Sequence, residues 1–150
     1  MNQTIAKYLG NALLSSADMQ LYSVDDLKPT KIWLLYFSAS FCKPCKKFTP
    51  ILQHLYKHLN ASFEIVLIPK DFTQAEFLSY FQGMNWLSVP FEDQKRIDWL
   101  TQLFSIESIP ALVILNQDGQ IVNSNAYQAI LSDPQGQFFP WPEYSMMGQQ

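Results

Sequence analysis

A mixed α/β fold, with a parallel βαβ half feeding an antiparallel hairpin half and helices flanking the sheet, is predicted by three observations. Ile32 to Phe37 is apolar at every position, as a central strand covered on both faces would be. Strand-like and helix-like segments alternate after it, which implies a parallel sheet with right-handed crossovers. Ala111 to Leu115 and Gln120 to Asn123 flank Asn116-Gln117-Asp118-Gly119, whose Asp-Gly pair favours a tight turn.

The elements follow in order. Ile5, Leu9, Leu13 and Leu14 recur at helical spacing and predict a short amphipathic helix over residues 3 to 14. Gln20 to Val24 is a weak strand candidate. After the Ile32–Phe37 strand, a helix runs to about Leu59, with Phe48, Ile51 or Leu52, Leu55 and Leu59 on one side and Pro50 expected to bend its axis. Phe63 to Ile68 is a second buried strand, followed by a helix from Thr73 to about Phe81. Gly83 to Phe91 reads as irregular, and Asp93 to Phe104 as a helix carrying Ile97, Leu100, Leu103 and Phe104. Trp86, Trp99 and Trp141 read as core or lid anchors. A single domain over residues 1 to 142 is expected, with a loose tail from 143 to 150.

The 150 residues suffice for one substantial core. Hydrophobic content of 48% against 15% charged residues excludes a disordered chain. A net charge of −3 supplies no electrostatic footprint for nucleic acid or an anionic membrane, so neither partner is expected. Met1 to Ser16 is interrupted by Tyr8, Gly10 and Asn11 and lacks the apolar run of a signal peptide. The expected compartment is the reducing cytosol, with the nucleus as the alternative; there a cysteine pair is more often catalytic or metal-binding than a permanent bridge.

Cys42-Lys43-Pro44-Cys45 holds the chain's two cysteines at the junction between the apolar strand and the helix after it. A disulfide between them closes a loop of four residues, a stabilisation of only about 2 kcal/mol in the chain-entropy model. Its placement suits redox chemistry better. The N-terminus of a helix presents unpaired N–H groups and a partial positive charge, which favour thiolate over thiol. Pro44 fits the first helical turn, where its missing N–H would have no partner.

Ile109-Pro110 stands directly before the hairpin strand. The run Tyr36-Phe37-Ser38-Ala39-Ser40-Phe41-Cys42-Lys43-Pro44-Cys45-Lys46-Lys47-Phe48-Thr49-Pro50 resembles the active-site signature of the tryparedoxin and nucleoredoxin family of the thioredoxin superfamily. So do Trp86-Leu87-Ser88-Val89-Pro90-Phe91, Ile106-Glu107-Ser108-Ile109-Pro110-Ala111-Leu112, and Asp133-Pro134-Gln135-Gly136 leading to Phe139-Pro140-Trp141. These blocks run in family order from about Lys31 to Trp141. The resemblance implies a thioredoxin fold with an extra helix-loop insertion before the proline strand. It implies Cys42 as attacking thiolate and Cys45 as resolving thiol, with no cofactor beyond their disulfide and an external thiol reductant. It also implies a cis bond at Ile109-Pro110, which would set a backbone edge beside the nucleophile for an extended substrate.

Several positions depart from the family pattern. Phe41 stands where the family has tryptophan, keeping a ring but losing the indole donor. Lys43 replaces a proline and adds a positive charge near the thiolate, which lowers its pKa. Lys70 stands where tryparedoxins have tryptophan, and Tyr127 where they have a substrate-side arginine; both argue against a trypanothione-type reductant. Tyr36 occupies the place of the buried carboxylate of ordinary thioredoxins, as in the tryparedoxin branch. The proton acceptor for Cys45 is therefore unidentified by the resemblance; Asp71 is a candidate, the alternative being an ordinary loop aspartate.

His54 and His58 invite a zinc reading with the cysteines. Cys45 and His54 are nine residues apart, about 13 Å of helical rise and half a turn out of phase, beyond metal-ligand reach. No metal is expected. Lys43, Lys46 and Lys47 form a small basic cluster, read as a solvated helix face or as an attraction for anionic thiol partners. The function expected is dithiol–disulfide exchange on protein disulfides by a monomer. The alternative is a redox-gated protein-binding module with little turnover.

Overall fold

The computed structural model describes residues 3–59 and 63–143. Along the chain come α1 (Gln3–Leu9), β1 (Ala12–Ser15), β2 (Leu21–Ser23), β3 (Ile32–Ser38), α2 (Lys43–His58), β4 (Phe63–Pro69), α3 (Gln74–Phe81), β5 (Leu87–Ser88), α4 (Gln94–Leu103), β6 (Ala111–Asn116), β7 (Ile121–Asn123) and α5 (Tyr127–Leu131). The strands form one sheet in the order β2-β1-β5-β4-β3-β6-β7. β3, β4 and β5 are parallel, and β6 and β7 continue the sheet antiparallel beyond β3. This is the mixed sheet of the thioredoxin fold.

Alternation along β3 creates two cores, because successive side chains point to opposite faces. Leu34 and Tyr36 join α2, α3 and α5 through Phe48, Leu52, Phe77, Phe81 and Ile130, with Trp86 and Trp141 enclosed. Trp33, Leu35 and Phe37 face the other way, onto Ile5 and Leu9 of α1 and Ile97 and Leu100 of α4. Both faces are therefore dry, which is why β3 is apolar from Ile32 to Phe37. α2 is unbroken from Lys43 to His58 with Pro50 on its exposed side.

Three expectations are corrected. The helix expected over residues 3 to 14 ends at Leu9. Gly10 adopts φ +81°, its N–H donates to the Ala6 carbonyl at 2.8 Å, and the chain turns into β1. Leu13 and Leu14 mimicked a helical repeat while belonging to a strand, where Leu13 enters one core and Leu14 packs against the other. Gly83 to Phe91 contains β5, whose Leu87 and Ser88 bridge β4 to β1. Trp99 is no core anchor: it is 44% exposed and stacks on Tyr8 of α1 at 6.3 Å. Of the expected tail, Glu143 is held, its N–H donating to the Val122 carbonyl at 3.1 Å; residues 144–150 lie outside the described residues.

Candidate active site

The C-terminal end of β3 delivers the chain to the start of α2, and Cys42 is the residue that caps that helix. Its Sγ accepts the Cys45 N–H at 3.2 Å, as an N-cap oxygen would. Pro44 lies in the first turn, as expected. Cys42 and Cys45 are joined by a disulfide. The two sulfurs differ in access: Cys42 is partly exposed, whereas Cys45 is fully buried against α2's own core side.

Opposite the cysteines lies the loop before β6. The Ile109–Pro110 bond is cis, Pro110 is buried, and the Ile109 carbonyl oxygen is 3.8 Å from Cys42 Sγ. A backbone edge therefore flanks the nucleophile. Phe139–Pro140 is also cis, a feature for which the sequence reading had no signal. Phe41 projects from the loop before Cys42 and is 53% exposed. Lys43 is exposed and, with Lys47 and Tyr127, lines a groove of about 330 Å³ between α2 and α5. Tyr127 meets Phe48 edge-on at 4.8 Å. The Lys70 Nζ donates to Thr101 Oγ1 at 3.0 Å.

Tyr36 and Asp71 occupy different layers of the site. The Tyr36 hydroxyl donates to the Cys45 carbonyl at 3.0 Å and lies 2.9 Å from Thr49 Oγ1. Thr49 also donates to the Cys45 carbonyl at 3.0 Å and contacts the Tyr80 hydroxyl at 3.1 Å, which in turn is 2.7 Å from Ser38 Oγ. Burial, reinforced by Tyr80, pushes the Tyr36 phenol well above its ordinary pKa, so it stays protonated and serves as a donor. Two hydroxyls thus hold the carbonyl of the resolving cysteine, and Tyr80 and Ser38 extend their chain. Sequence reasoning missed Ser38, Thr49 and Tyr80; the signal was there in the i, i+2 pairing of Tyr36 with Ser38 and the i, i+4 step from Cys45 to Thr49. Asp71 is buried and braces the turn before the nucleophile, its Oδ1 accepting both the N–H and the hydroxyl of Ser40. Its Oδ2 is buried with no hydrogen-bond partner among the described residues.

His54 and His58 stack on each other at 4.2 Å, away from the cysteines on α2's later turns. The described residues contain no group of three or more histidine, cysteine or carboxylate side chains placed to hold a metal.

The unequal access of the two sulfurs leads to a direct expectation. After reduction, iodoacetamide at neutral pH should modify Cys42 at least about tenfold faster than Cys45, because a capping sulfur at a helix N-terminus gains thiolate character and Cys45 is shielded. Peptide mapping of the alkylated protein checks this. Faster labelling of Cys45 would reverse the roles.

Comparison with known proteins agrees with this geometry. A family model described as Thioredoxin-like matches residues 30–121. The tryparedoxin of Trypanosoma brucei brucei is 40% identical over 144 residues, covering 92% of this chain and 97% of that protein. A nucleoredoxin of Danio rerio is 37% identical over 110 residues, 71% of this chain but 26% of that longer protein. The solved tryparedoxin II of C. fasciculata superposes with a TM-score of 0.86 at 35% identity, covering 97% of each chain. Motif order, sheet topology, the cis-proline beside the cysteine pair and these relatives converge, and the chain belongs to the tryparedoxin and nucleoredoxin family of thioredoxin-like oxidoreductases.

Proposed function

We propose that this thiol–disulfide oxidoreductase reduces disulfide bonds in proteins, as a cytosolic monomer taking electrons from an external dithiol or reductase. The observation that carries the reading is the division of labour between an accessible sulfur capping a helix and a buried one a turn inward. The Cys42 thiolate attacks a substrate sulfur, expelling one substrate thiolate and leaving a mixed disulfide. Cys45 loses its proton and attacks Cys42 Sγ, releasing the second substrate thiol and forming the Cys42–Cys45 disulfide. Two electrons pass to the substrate, and the external dithiol returns them. Asp71, buried and with Oδ2 unpartnered among the described residues, is the carboxylate we assign to take the Cys45 proton.

One related structure, tryparedoxin II, is a complex with glutathionylspermidine. In this chain Phe41, Lys70 and Tyr127 replace the family's two tryptophans and arginine. Each lost charge-assisted hydrogen bond costs on the order of 1.5–3 kcal/mol, roughly a tenfold to hundredfold loss of affinity. Second-order reduction rates of the oxidised protein across a donor panel, coupled to insulin-disulfide cleavage, test both points. Dithiothreitol or a protein reductase should outpace trypanothione. Trypanothione as the fastest donor by a wide margin would overturn the donor reading, and oxidation-dependent partner retention without insulin turnover would favour a redox-gated binding module.

A further inference from the structure

Phe72 follows Asp71 in the connection between β4 and α3 and is 80% exposed. Its ring lies flat on that of Phe41, centroids 5.0 Å apart and planes 10° from parallel. Neither ring belongs to either core. The connection is organised without Phe72: Thr73 caps α3 through the Glu76 N–H, and Asp71 braces Ser40. Two large apolar rings are thus held in water, which is unfavourable in proportion to their exposed area, directly beside the nucleophile.

The stacked pair lines a cavity of about 280 Å³ together with the segment Ile106 to Ile109. That same segment carries the carbonyl 3.8 Å from Cys42 Sγ. The platform is therefore continuous with the edge along which a reacting disulfide must lie. The rim holds one cation, Lys70, tied to Thr101, and one anion, Glu107, so its charges balance and favour neither sign. A substrate segment reaching Cys42 along this edge is extended, and its side chains alternate in direction. A residue flanking the substrate cysteine then points into the cavity. An aromatic ring there buries its own surface together with the two phenylalanine faces and gains offset stacking, whereas a charged side chain loses hydration and meets one rim charge of each sign, so its attraction to one is offset by repulsion from the other.

Resting on the disulfide-reductase reading above, we propose that Phe72, stacked on Phe41, is a specificity-determining platform. It selects protein disulfides whose reacting cysteine is flanked by an aromatic or large aliphatic residue.

The test uses peptides of the form acetyl-X-Cys-X-amide joined by a disulfide to 5-thio-2-nitrobenzoate, the leaving group being constant across the panel. Reduced protein attacks the peptide sulfur through Cys42 and expels the coloured thiolate. Cys45 then releases the peptide thiol, so one protein dithiol becomes one disulfide per peptide reduced. The second-order rate with X as phenylalanine should exceed that with X as alanine about tenfold, the ratio given by roughly 1.4 kcal/mol of ring burial and stacking. In Phe72→Ser the ratio should fall to within twofold of one, and in Phe72→Tyr it should be restored. Equal rates for the two peptides in the parent chain, or an undiminished preference in Phe72→Ser, would overturn the platform while leaving the reductase reading intact. Release of the chromophore from none of the peptides would overturn both.

Discussion

Replacing Cys42 with serine should abolish disulfide reduction with every donor, while replacing Cys45 with serine should leave substrate attached to the protein. A serine hydroxyl is not ionised at neutral pH and forms no disulfide, so Cys42→Ser has no first step. Cys45→Ser retains the capping sulfur and its first attack but not the group that resolves the intermediate. The expected product is a stoichiometric covalent complex through Cys42, stable to boiling and released by excess dithiothreitol. Intact-mass measurement of each variant after incubation with oxidised insulin reads the outcome. Residual turnover in Cys42→Ser, or a trapped complex through Cys45 in that variant, would invert the assignment. Neither substitution should perturb the fold much, since the pair spans four residues and the loop-closure contribution is about 2 kcal/mol.

How much of this site is legible in the sequence follows from the range of each interaction. The cysteine pair, its helix and Pro44 are neighbours in sequence, and the chemistry that marks them is local. The parallel half and the antiparallel hairpin half were legible because apolar runs and an Asp-Gly turn constrain strands strongly. Strand β1 was not, because Leu13 and Leu14 sit at spacings that suit a helix continuing from Leu9. Only Gly10, with its left-handed φ, breaks that repeat. Helix α5 escaped notice because it spans five residues with no side-chain cap. The hydroxyl layer and the Phe41–Phe72 stack escaped for a different reason. Ser38 and Tyr80 are 42 residues apart, and only the β3–β4 register together with the placement of α3 brings such positions together. Trp99 was misjudged because helical spacing does not reveal which stripe of α4 a neighbour covers; Tyr8 covers its ring from outside.

Asp133→Ala should be among the most destabilising single substitutions outside the two cores. This buried carboxylate closes the segment between α5 and the C-terminal end of the described chain. Its Oδ1 accepts the Gln137 N–H at 3.0 Å, and its Oδ2 accepts the Phe138 N–H at 2.8 Å and the Trp141 indole N–H at 2.9 Å. Gly136, at φ +72°, makes the turn between them; a Cβ there would come within 2.9 Å of Leu59. Trp141 in turn packs into the core that contains α2 and α5, and its carbonyl accepts Asn123 Nδ2 at 2.8 Å. Alanine would leave three donors without their acceptor, one of them on a buried indole. With hydrogen bonds to charged groups worth about 1.5–3 kcal/mol each and not additive, a loss of about 3 kcal/mol is expected. At this size that lowers Tm by roughly 6–12 °C. The pH dependence has a definite sign. Burial pushes the Asp133 carboxyl up, but the three donors outweigh it and hold the pKa below the usual carboxylate value. A depressed folded-state pKa means that the carboxylate's stabilisation is complete above the unfolded value of about 3.9 and is lost as pH falls through the lower folded one. Denaturant unfolding from pH 7 to pH 2.5 should therefore show the parent chain losing its advantage over Asp133→Ala in acid, with the two curves converging. A constant gap across that range would mean that packing alone, and not the ionised carboxylate, ties Trp141 down. Since α5 also carries Tyr127 against Phe48 beside the cysteine helix, the same variant should lower the rate of disulfide reduction at temperatures well below its Tm, linking the C-terminal latch to the geometry of the reacting pair.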